Sequence, residues 1–424
     1  MSRIRHPEVD VPRQHRPGGV VERPSLRSAA AALTSLLALA ATGLVAGPAV
    51  AASRDASPCA LPRTGAHHSL GLDTWNDAYP RPDHSLDAVM VFLSFPDSEP
   101  AVTPDVLAAD YFPSTTRFFK RASYGKFTLR AHPQQQWTRM PHPSTWYGIQ
   151  RDWGSEQRTA YLRDAIEAVD DQVDFSTYDI VYLVADPDAP GVDSDATKVV
   201  NFDRPLRADG ADIKRVVTVF EEHPPDRNVL AHETGHVFDL ADLYHRPKDG
   251  KGDWDTYVGD WDVMGSQFGL SPDLFGWHKW KLGWLDRGQV VCVQGSADLT
   301  LEPMAEVPVP GGSIGTRLAV IRTGTDSALA VEARSATGND RGTCTEGVLI
   351  YRIHNRTPSG GGPIEVLDTH PDSDACWERS VYPPLADAPL REGERYSVPG
   401  ERTRIEVADR TRSGAWTVRI TTGT

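Results

Sequence analysis

Residues 232–236 read His-Glu-Thr-Gly-His, a spacing that can bind and use a metal ion. On a helix, positions i and i+4 lie on one face, so His232 and His236 can both offer an imidazole nitrogen to one Zn²⁺. Glu233 lies one residue along, where its carboxylate can reach a water at the metal without ligating the metal itself. The pattern therefore predicts hydrolytic zinc chemistry with Glu233 as the general base.

A third ligand must come from elsewhere, because a catalytic zinc usually has three protein ligands. Asp242 follows His236 by six residues, and six more helical residues would carry it about 9 Å along the axis. It can therefore bind only if the helix ends soon after His236 and the chain turns back. A downstream glutamate is excluded locally, because none occurs between Glu233 and Glu302. Asp239 is the remaining local carboxylate, but on a continued helix it lies too far along to share the metal with the first histidine.

Further motifs follow the second histidine. The metal-binding segment continues as Asp-Leu-Tyr at 242–244, residues 261–266 read Trp-Asp-Val-Met-Gly-Ser, and residues 275–285 are rich in aromatic side chains. With the His-Glu-x-x-His pattern, these motifs resemble the metzincin clan of zinc peptidases, in which a methionine turn follows the metal-binding helix. Within that clan the chain is most similar to the immune-inhibitor-A-like secreted bacterial metalloproteases.

This resemblance implies roles for individual residues. His232, His236 and Asp242 would hold Zn²⁺, and Glu233 would be the catalytic base. Met264 would form a hydrophobic floor beneath the three ligands and fix their orientation.

The chain departs from the clan at one position. Where the clan has a glycine that lets the helix end in a left-handed turn, this chain has Asp239. Aspartate tolerates that conformation better than most residues, at a cost of about 1 kcal/mol. This departure keeps open an alternative, a catalytically dead secreted binding protein on a peptidase scaffold.

Three further features are candidates for substrate contact. Tyr244 and Tyr257 can hydrogen-bond the oxyanion of a tetrahedral intermediate, or they can pack against the core, and we expect packing for both. Residues 215–220 read as a strand, and the resemblance implies that this strand is the edge that pairs with an extended substrate.

The elements that must position these residues follow from hydrophobic spacing. Buried strands are predicted at 87–95 and 178–185, and a helix is predicted at 156–169. The active-site helix is predicted from about 227 to 240, with Asp226 as its N-cap. After residue 285 the helical spacing stops, and six short β-type runs appear between turn residues. They are 299–301, 317–322, 328–333, 347–353, 404–407 and 416–420.

We therefore expect an α+β protein with four segments. Residues 1–52 have a basic start, an apolar run and an Ala-x-Ala site, as in a cleaved signal peptide. Residues 53–85 are an irregular lead-in or short pro-segment. Residues 86–287 are a metzincin-like catalytic domain with a twisted mixed sheet, an active-site helix and a Met-turn. Residues 288–424 are a β-rich, sandwich-like domain.

Charge and cysteine content bear on partners and location. The chain has 58 acidic and 44 basic residues, so we expect no nucleic-acid partner and no membrane partner once the signal is removed. Four cysteines in an exported chain predict disulfides. We expect the pairs Cys344–Cys376 and Cys59–Cys292. The alternative for Cys59 is a free thiolate that caps the zinc as a latency switch.

An acidic loop is a candidate site for a second cation. Its carboxylates can offer oxygen ligands to Ca²⁺, but the loop lacks EF-hand spacing and contains prolines, so we expect a solvated loop. The carboxylates belong to Asp186, Asp188, Asp193 and Asp195.

The sequence as a whole favours a secreted zinc-dependent endopeptidase that acts on protein or peptide substrates. Besides the dead scaffold, the alternative is a zinc amide hydrolase that acts on cell-wall peptides. The sequence does not indicate an oligomeric state or a substrate side-chain preference.

Overall fold

The structure, a computed structural model, describes residues 57–249, 251–307 and 315–423. The predicted signal peptide at 1–52 lies outside the described residues. Within the described ranges, no helix is both long and apolar enough to cross a bilayer. The chain is α+β, as predicted, with several sheets and few helices.

Five strands form the first sheet. They are β1 (Ser85–Ser94), β2 (Thr128–Arg139), β3 (Ile180–Ala185), β4 (Lys198–Ala208) and β5 (Ala211–Val219). Their order across the sheet is β2-β1-β3-β5-β4. β1, β2, β3 and β5 are parallel, whereas β4 pairs antiparallel with β5 and forms one edge. The sheet is therefore mixed, with a single antiparallel edge strand.

The predicted substrate-pairing edge at 215–220 is wrong. That segment lies in β5, which is hydrogen-bonded on both sides by β3 and β4. The reason is the two-residue hairpin turn Asp209-Gly210, in which both residues have positive φ (50° and 75°). Such a turn matches the right-handed twist of two antiparallel strands, so it folds β5 directly against β4. The edge strand is β4 instead.

Six helices are present among the described residues. They are α1 (Pro104–Tyr111), α2 (Ser114–Ala122), α3 (Ser144–Tyr147), α4 (Ser155–Val169), α5 (Val229–Val237) and α6 (Gly276–Lys281). α4 confirms the helix predicted at 156–169, and its apolar face packs with Val89 and Leu183 of the sheet. Met90 and Phe92 of β1 point to the opposite face and pack with residues of α2 and α5. Both faces of the first sheet are thus covered, as parallel strands require.

Two further sheets form the C-terminal part. Their strands are β6 (Val290–Cys292), β7 (Ser296–Leu301), β8 (Leu318–Arg322), β9 (Ser327–Arg334), β10 (Gly347–His354), β11 (Ile364–Val366), β12 (Arg395–Ser397), β13 (Thr403–Arg410) and β14 (Trp416–Thr422). One sheet has the order β11-β10-β9-β8-β6 and the other β12-β13-β14-β7. Side chains from both sheets share one apolar cluster, which includes Ile321, Val331, Ile405 and Val418. Each of the six predicted β-type runs coincides with one of these strands.

The apolar core crosses the predicted boundary at residue 287. One cluster contains Trp277 of α6, Leu318 of β8 and Tyr351 of β10, together with Leu61 and Leu70 of the lead-in. The Trp277 indole donates to the backbone oxygen of Leu70 at 3.0 Å. The lead-in is therefore packed into the same core as the sheets that follow it.

Both predicted disulfides are present. Cys59 pairs with Cys292, and Cys344 pairs with Cys376. No cysteine within the described ranges is free. Cys59 is therefore engaged in a covalent bond, and the alternative of a thiolate latency switch is excluded for this state of the chain.

Candidate metal centre

The helix that carries the two histidines is shorter than predicted. α5 begins at Val229 and not at about 227, because Asn228 has φ 61° and cannot belong to a right-handed helix. The predicted N-cap Asp226 therefore lies outside the cap position. The helix ends at Val237 and not at about 240, because Asp239 has φ 62°.

The chain reverses directly after the second histidine. The Leu240 N–H donates to the Gly235 oxygen at 3.1 Å, and the Asp239 N–H donates to the His236 oxygen at 3.1 Å. These two bonds form a Schellman motif, in which the left-handed residue is usually glycine and is here Asp239. The motif redirects the backbone within one turn, so that Asp242 returns toward the histidine rings.

Three side chains converge as a result of this reversal. Oδ1 of Asp242 lies 3.2 Å from Nε2 of His232 and 3.0 Å from Nε2 of His236. Ligand atoms of a tetrahedral zinc with bonds of about 2.0–2.2 Å lie roughly 3.3–3.5 Å apart. Elsewhere in the described residues, no other three His, Cys, Asp or Glu side chains bring their ligand atoms within 4.8 Å of one another.

The hydrogen bonds of the two rings direct one nitrogen of each toward this point. Nδ1 of His232 lies 2.8 Å from the Val263 oxygen, and Nδ1 of His236 lies 2.8 Å from the Leu240 oxygen. A carbonyl oxygen only accepts, so each Nδ1 must carry a proton. The Nε2 atoms of neutral rings would then direct lone pairs at the same carboxylate oxygen. Histidines that bind a metal usually donate their other ring N–H to a carbonyl oxygen in this way, which fixes the orientation of the ring.

The electrostatics of the cluster favour a cation between the three groups. Burial lowers the pKa of His236, but the Asp242 carboxylate outweighs it and raises that pKa to about 9. Burial raises the pKa of Asp242, yet the two imidazoles hold it well below its usual range. Oδ1 of Asp242 is buried, and the polar side-chain atoms that face it are the two Nε2 atoms. A Zn²⁺ fits this set of donors, because in place of the protons that the raised pKa values favour on the rings it would engage one carboxylate oxygen and two imidazole nitrogens together.

Glu233 is held next to the cluster by the edge strand. Its Oε2 accepts a hydrogen bond from the Val199 N–H of β4 at 2.9 Å. Burial raises the pKa of the Glu233 carboxyl above its usual value, although the two histidines oppose this. The Glu233 side chain also lines the cleft beside His232, His236 and Asp242. Glu233 is therefore suited to exchange a proton there.

The turn that carries Met264 packs against α5. Met264 is fully buried, and a Cβ on Gly235 would lie 2.3 Å from its sulfur, so only a glycine allows this approach. One buried carboxylate organises the turn: Asp262 accepts from the Met264 N–H at 2.8 Å and from the Phe275 N–H at 2.7 Å. The same carboxylate lies 3.0 Å from Nδ1 of His278 on α6.

The two candidate tyrosines occupy different places. Tyr244 lines the cleft with Glu233 and Asp242, and its ring lies 5.3 Å from that of Trp254. Burial raises the pKa of Tyr244, and the carboxylates of Asp242 and Glu233 add to this effect. Tyr257 instead packs on the His245 ring, with centroids 5.0 Å apart, and does not line the cleft. Packing, which we expected for both tyrosines, is therefore found for Tyr257. Tyr244 packs on Trp254 and also lines the cleft.

Asp239 is the centre of a buried ionic cluster that the sequence pattern did not reveal. Its carboxylate lies 2.9 Å from the Arg63 guanidinium, 3.2 Å from Nδ1 of His68 and 3.2 Å from Nζ of Lys281. Burial raises the pKa of Asp239, but these donors reverse the effect and lower it below its usual range. Lys281 also donates to the backbone oxygen of Asp239. Both the side chain and the backbone oxygen of Asp239 therefore have hydrogen-bond or ion-pair partners.

The lead-in also borders the metal ligands. The ring of His68 stacks on that of His236, with centroids 5.3 Å apart and an interplanar angle of 22°. Burial lowers the pKa of His68 to about 4, so the ring is neutral at pH 7 and donates its Nδ1 proton to Asp239. His67 lines the cleft beside the same ligands. The two adjacent histidines are the sequence feature that could have indicated a contact between the lead-in and the metal centre, but they were not predicted to lie there.

The four carboxylates of the acidic loop do not converge. Asp186 accepts from Ser98 at 2.7 Å, and Asp188 accepts from the Ala101 N–H at 3.2 Å. Asp193 caps its own turn, whereas Asp195 lies 3.3 Å from Arg151. Each carboxylate thus has a separate partner. Asp188, Asp193 and Asp195 are exposed, as expected for a solvated loop, whereas Asp186 is fully buried, contrary to that expectation.

Comparisons with known proteins add little to this picture. No protein-family model and no curated protein matches the chain. Among solved structures, the chain is similar to wild-type OgpA from Akkermansia muciniphila in two crystal forms. The identities are 10% and 11% and the TM-scores 0.28 and 0.27; each alignment covers 69% of this chain and 95% or 96% of OgpA. At these TM-scores the likeness carries no argument about fold or activity.

Proposed function

We propose that this chain is a secreted zinc-dependent endopeptidase of the metzincin type, similar to the immune-inhibitor-A-like metalloproteases. The observation that carries the proposal is the convergence of His232, His236 and Asp242 on one point, with Oδ1 of Asp242 at 3.2 and 3.0 Å from the two Nε2 atoms. The adjacent Glu233, the buried Met264 below the helix and the reversal at Asp239 agree with the same type of site.

The chemistry divides between the ion and the protein. When bound, Zn²⁺ supplies a Lewis acid that polarises a substrate carbonyl and acidifies water. Glu233 takes the proton from the attacking water and returns it to the leaving amine. The bond from the Val199 N–H holds one of its oxygens in place, and the Glu233 side chain lines the cleft. Tyr244 lines the same cleft, and in this proposal its hydroxyl donates to the developing oxyanion.

The dead-scaffold alternative is motivated by Asp239, and the structure gives that residue a defined place. Asp239 takes up the left-handed conformation and closes the same two backbone bonds as a glycine would. The departure from the clan therefore preserves the reversal that brings Asp242 to the histidines. For this reason we favour an active peptidase over an inactive binding protein.

The proposal is tested by metal analysis and hydrolysis on one preparation. Wild-type protein should contain about one zinc per chain and hydrolyse casein, and a chelator should abolish the hydrolysis. Glu233→Gln should retain zinc but lose hydrolysis, whereas Glu222→Gln, an exposed neighbour, should behave as wild type. Casein hydrolysis by Glu233→Gln, or a wild-type protein that cannot be loaded with zinc, would overturn the proposal.

A second substrate distinguishes the remaining alternative. Cross-linked cell-wall peptides should be cleaved no faster than casein if the chain is a general endopeptidase. Cleavage of the cross-linked peptides alone would instead make it an amide hydrolase of cell-wall peptides. The two disulfides agree with an oxidising, extracellular location, which detection of the mature chain in culture medium would test.

A further inference from the structure

A loop of the C-terminal sheets reaches the metal centre. The loop connects β10 to β11, and its tip at 359–362 pairs with the segment that follows the second histidine. The Gly360 N–H donates to the Asp242 oxygen at 3.1 Å, and the Gly362 N–H donates to the Tyr244 oxygen at 3.1 Å. In return, the Arg246 N–H donates to the Gly360 oxygen at 3.0 Å. The tip therefore extends the ligand-bearing segment like a short antiparallel strand.

This contact requires the backbone of the tip to lie close to the ring of Tyr257. A Cβ on Gly362 would lie 2.9 Å from the ring of Tyr257, and Gly362 also has φ 71°. The glycine-rich sequence at 359–362, which suggests a flexible tip when read alone, thus allows the loop to dock.

Ser359 binds Asp242 twice. Its hydroxyl donates to Oδ2 of Asp242 at 3.0 Å and accepts from the Asp242 N–H at 2.9 Å. The two bonds link the carboxylate to its own backbone through one hydroxyl, so they restrict both side-chain torsions of Asp242. Oδ2 is thereby occupied, and Oδ1 is left to face Nε2 of His232 and His236.

We propose that Ser359 is a positioning residue for the third metal ligand, so that the C-terminal sheets complete the zinc site. This inference rests on the proposed function, because it assumes that Asp242 binds zinc with the two histidines. Hydrogen bonds to ligating carboxylates typically change metal affinity by about 10- to 100-fold. Ser359 would act in this way, from 117 positions downstream of the ligand that it orients.

The test is the zinc affinity of three variants of the full chain, measured by competition with a chelating indicator. Ser359→Ala should bind zinc about 10- to 100-fold more weakly than wild type. Ser359→Thr keeps the hydroxyl and should restore most of that affinity. Ser413→Ala removes a hydroxyl from the turn between β13 and β14 and should leave the affinity unchanged.

A readout other than affinity separates positioning from general destabilisation. The backbone bonds of Gly360 and Gly362 remain in Ser359→Ala, so the urea midpoint of the metal-free protein should stay near that of wild type. The visible spectrum of the cobalt-substituted protein should change in Ser359→Ala and return in Ser359→Thr, because it reports ligand geometry.

The possible failures are distinguishable. If wild type binds zinc and Ser359→Ala binds it within twofold, the positioning role is wrong and the zinc proposal stands. A lower metal-free midpoint with unchanged zinc affinity also contradicts the positioning role. If wild type binds no zinc, the proposed function itself is wrong, and this inference falls with it.

Discussion

The carboxylate of Asp239 lies 2.9 Å from the guanidinium of Arg63, although 176 positions separate the two residues in the chain. Asp239 occupies the position at which the sequence resemblance predicts a glycine, and its side chain is fully buried. A residue that appears unfavourable in the sequence is thus paired, through the same carboxylate oxygen, with Arg63 of the lead-in and with Lys281.

Replacing Asp239 with the clan's own residue should therefore destabilise the protein. Asp239→Gly relieves about 1 kcal/mol of left-handed strain. It also leaves the buried Lys281 ammonium without its carboxylate, and breaking a buried pair costs about 3–5 kcal/mol. We expect a net loss of about 2–4 kcal/mol in the free energy of unfolding, measured by urea denaturation.

A double-mutant cycle provides the control. Lys281→Met removes the buried charge, so Asp239→Gly in that background should cost less than in wild type. The coupling should be about 0.5–3 kcal/mol. A more stable Asp239→Gly single variant would show that the ionic cluster contributes nothing to stability.

The Met-turn should depend on one carboxylate. Asp262→Ala leaves the buried N–H groups of Met264 and Phe275 without acceptors, and the free energy of unfolding should fall by about 2–4 kcal/mol. Asp77→Ala, at an exposed position, should stay within about 0.5 kcal/mol of wild type. Equal stabilities of the two variants would contradict the role assigned to Asp262.

Glu221 should make stability depend on pH between about 4.5 and 7. Burial raises the pKa of this carboxyl from 4.5 to about 7 in the folded chain. Over this interval the unfolded chain releases the proton and the folded chain retains it, so the Glu221 contribution to stability falls as pH rises. Glu221→Gln removes this effect.

The variant and wild type should therefore be equally stable near pH 4 and diverge at pH 8. By then Glu221→Gln should be more stable by about 1–3 kcal/mol, as urea denaturation at both pH values would measure. Comparing the two proteins at each pH cancels the titration of all other groups. A constant difference at both pH values would show that Glu221 does not titrate in this range.

The two disulfides should contribute unequally to stability. Cys59–Cys292 joins residues 233 positions apart, whereas Cys344–Cys376 joins residues 32 apart. The chain-entropy model predicts that the longer loop stabilises the folded state by about 1.8 kcal/mol more. Urea denaturation of two double variants, Cys59→Ser with Cys292→Ser and Cys344→Ser with Cys376→Ser, should show this difference. A larger loss from the Cys344–Cys376 variant would contradict the chain-entropy account.

Some of the candidate site could be predicted because its causes are local. The spacing of His232 and His236 places both rings on one helix face in any fold that keeps the helix. The bounds of α4 to within one residue, and the positions of six of the nine C-terminal strands, also followed from apolar periodicity. The helix ends were wrong, because the left-handed residues Asn228 and Asp239 are not glycines and give a weak terminus signal.

The position of β4 shows a different limit. The Asp209-Gly210 turn predicts a hairpin from its residue types, but which strand becomes the outer edge depends on what pairs with β5 on its other side. That partner is β3, which lies about 30 residues earlier in the chain. Sheet order is a long-range property, so local patterns did not place the edge strand correctly.

By itself, the sequence determined the helix face that carries two imidazoles, the carboxylate beside them and six of the nine strands of the C-terminal part. These features depend on residues within one or two turns of each other. Only the tertiary structure decided how Asp242 is oriented. Ser359 binds its carboxylate, and Arg63 and Lys281 bind Asp239 in the turn that precedes it, all from distant segments of the chain. Hydrogen bonds and ion pairs between such segments form only once the core has brought them within about 3 Å, and no local pattern encodes that approach.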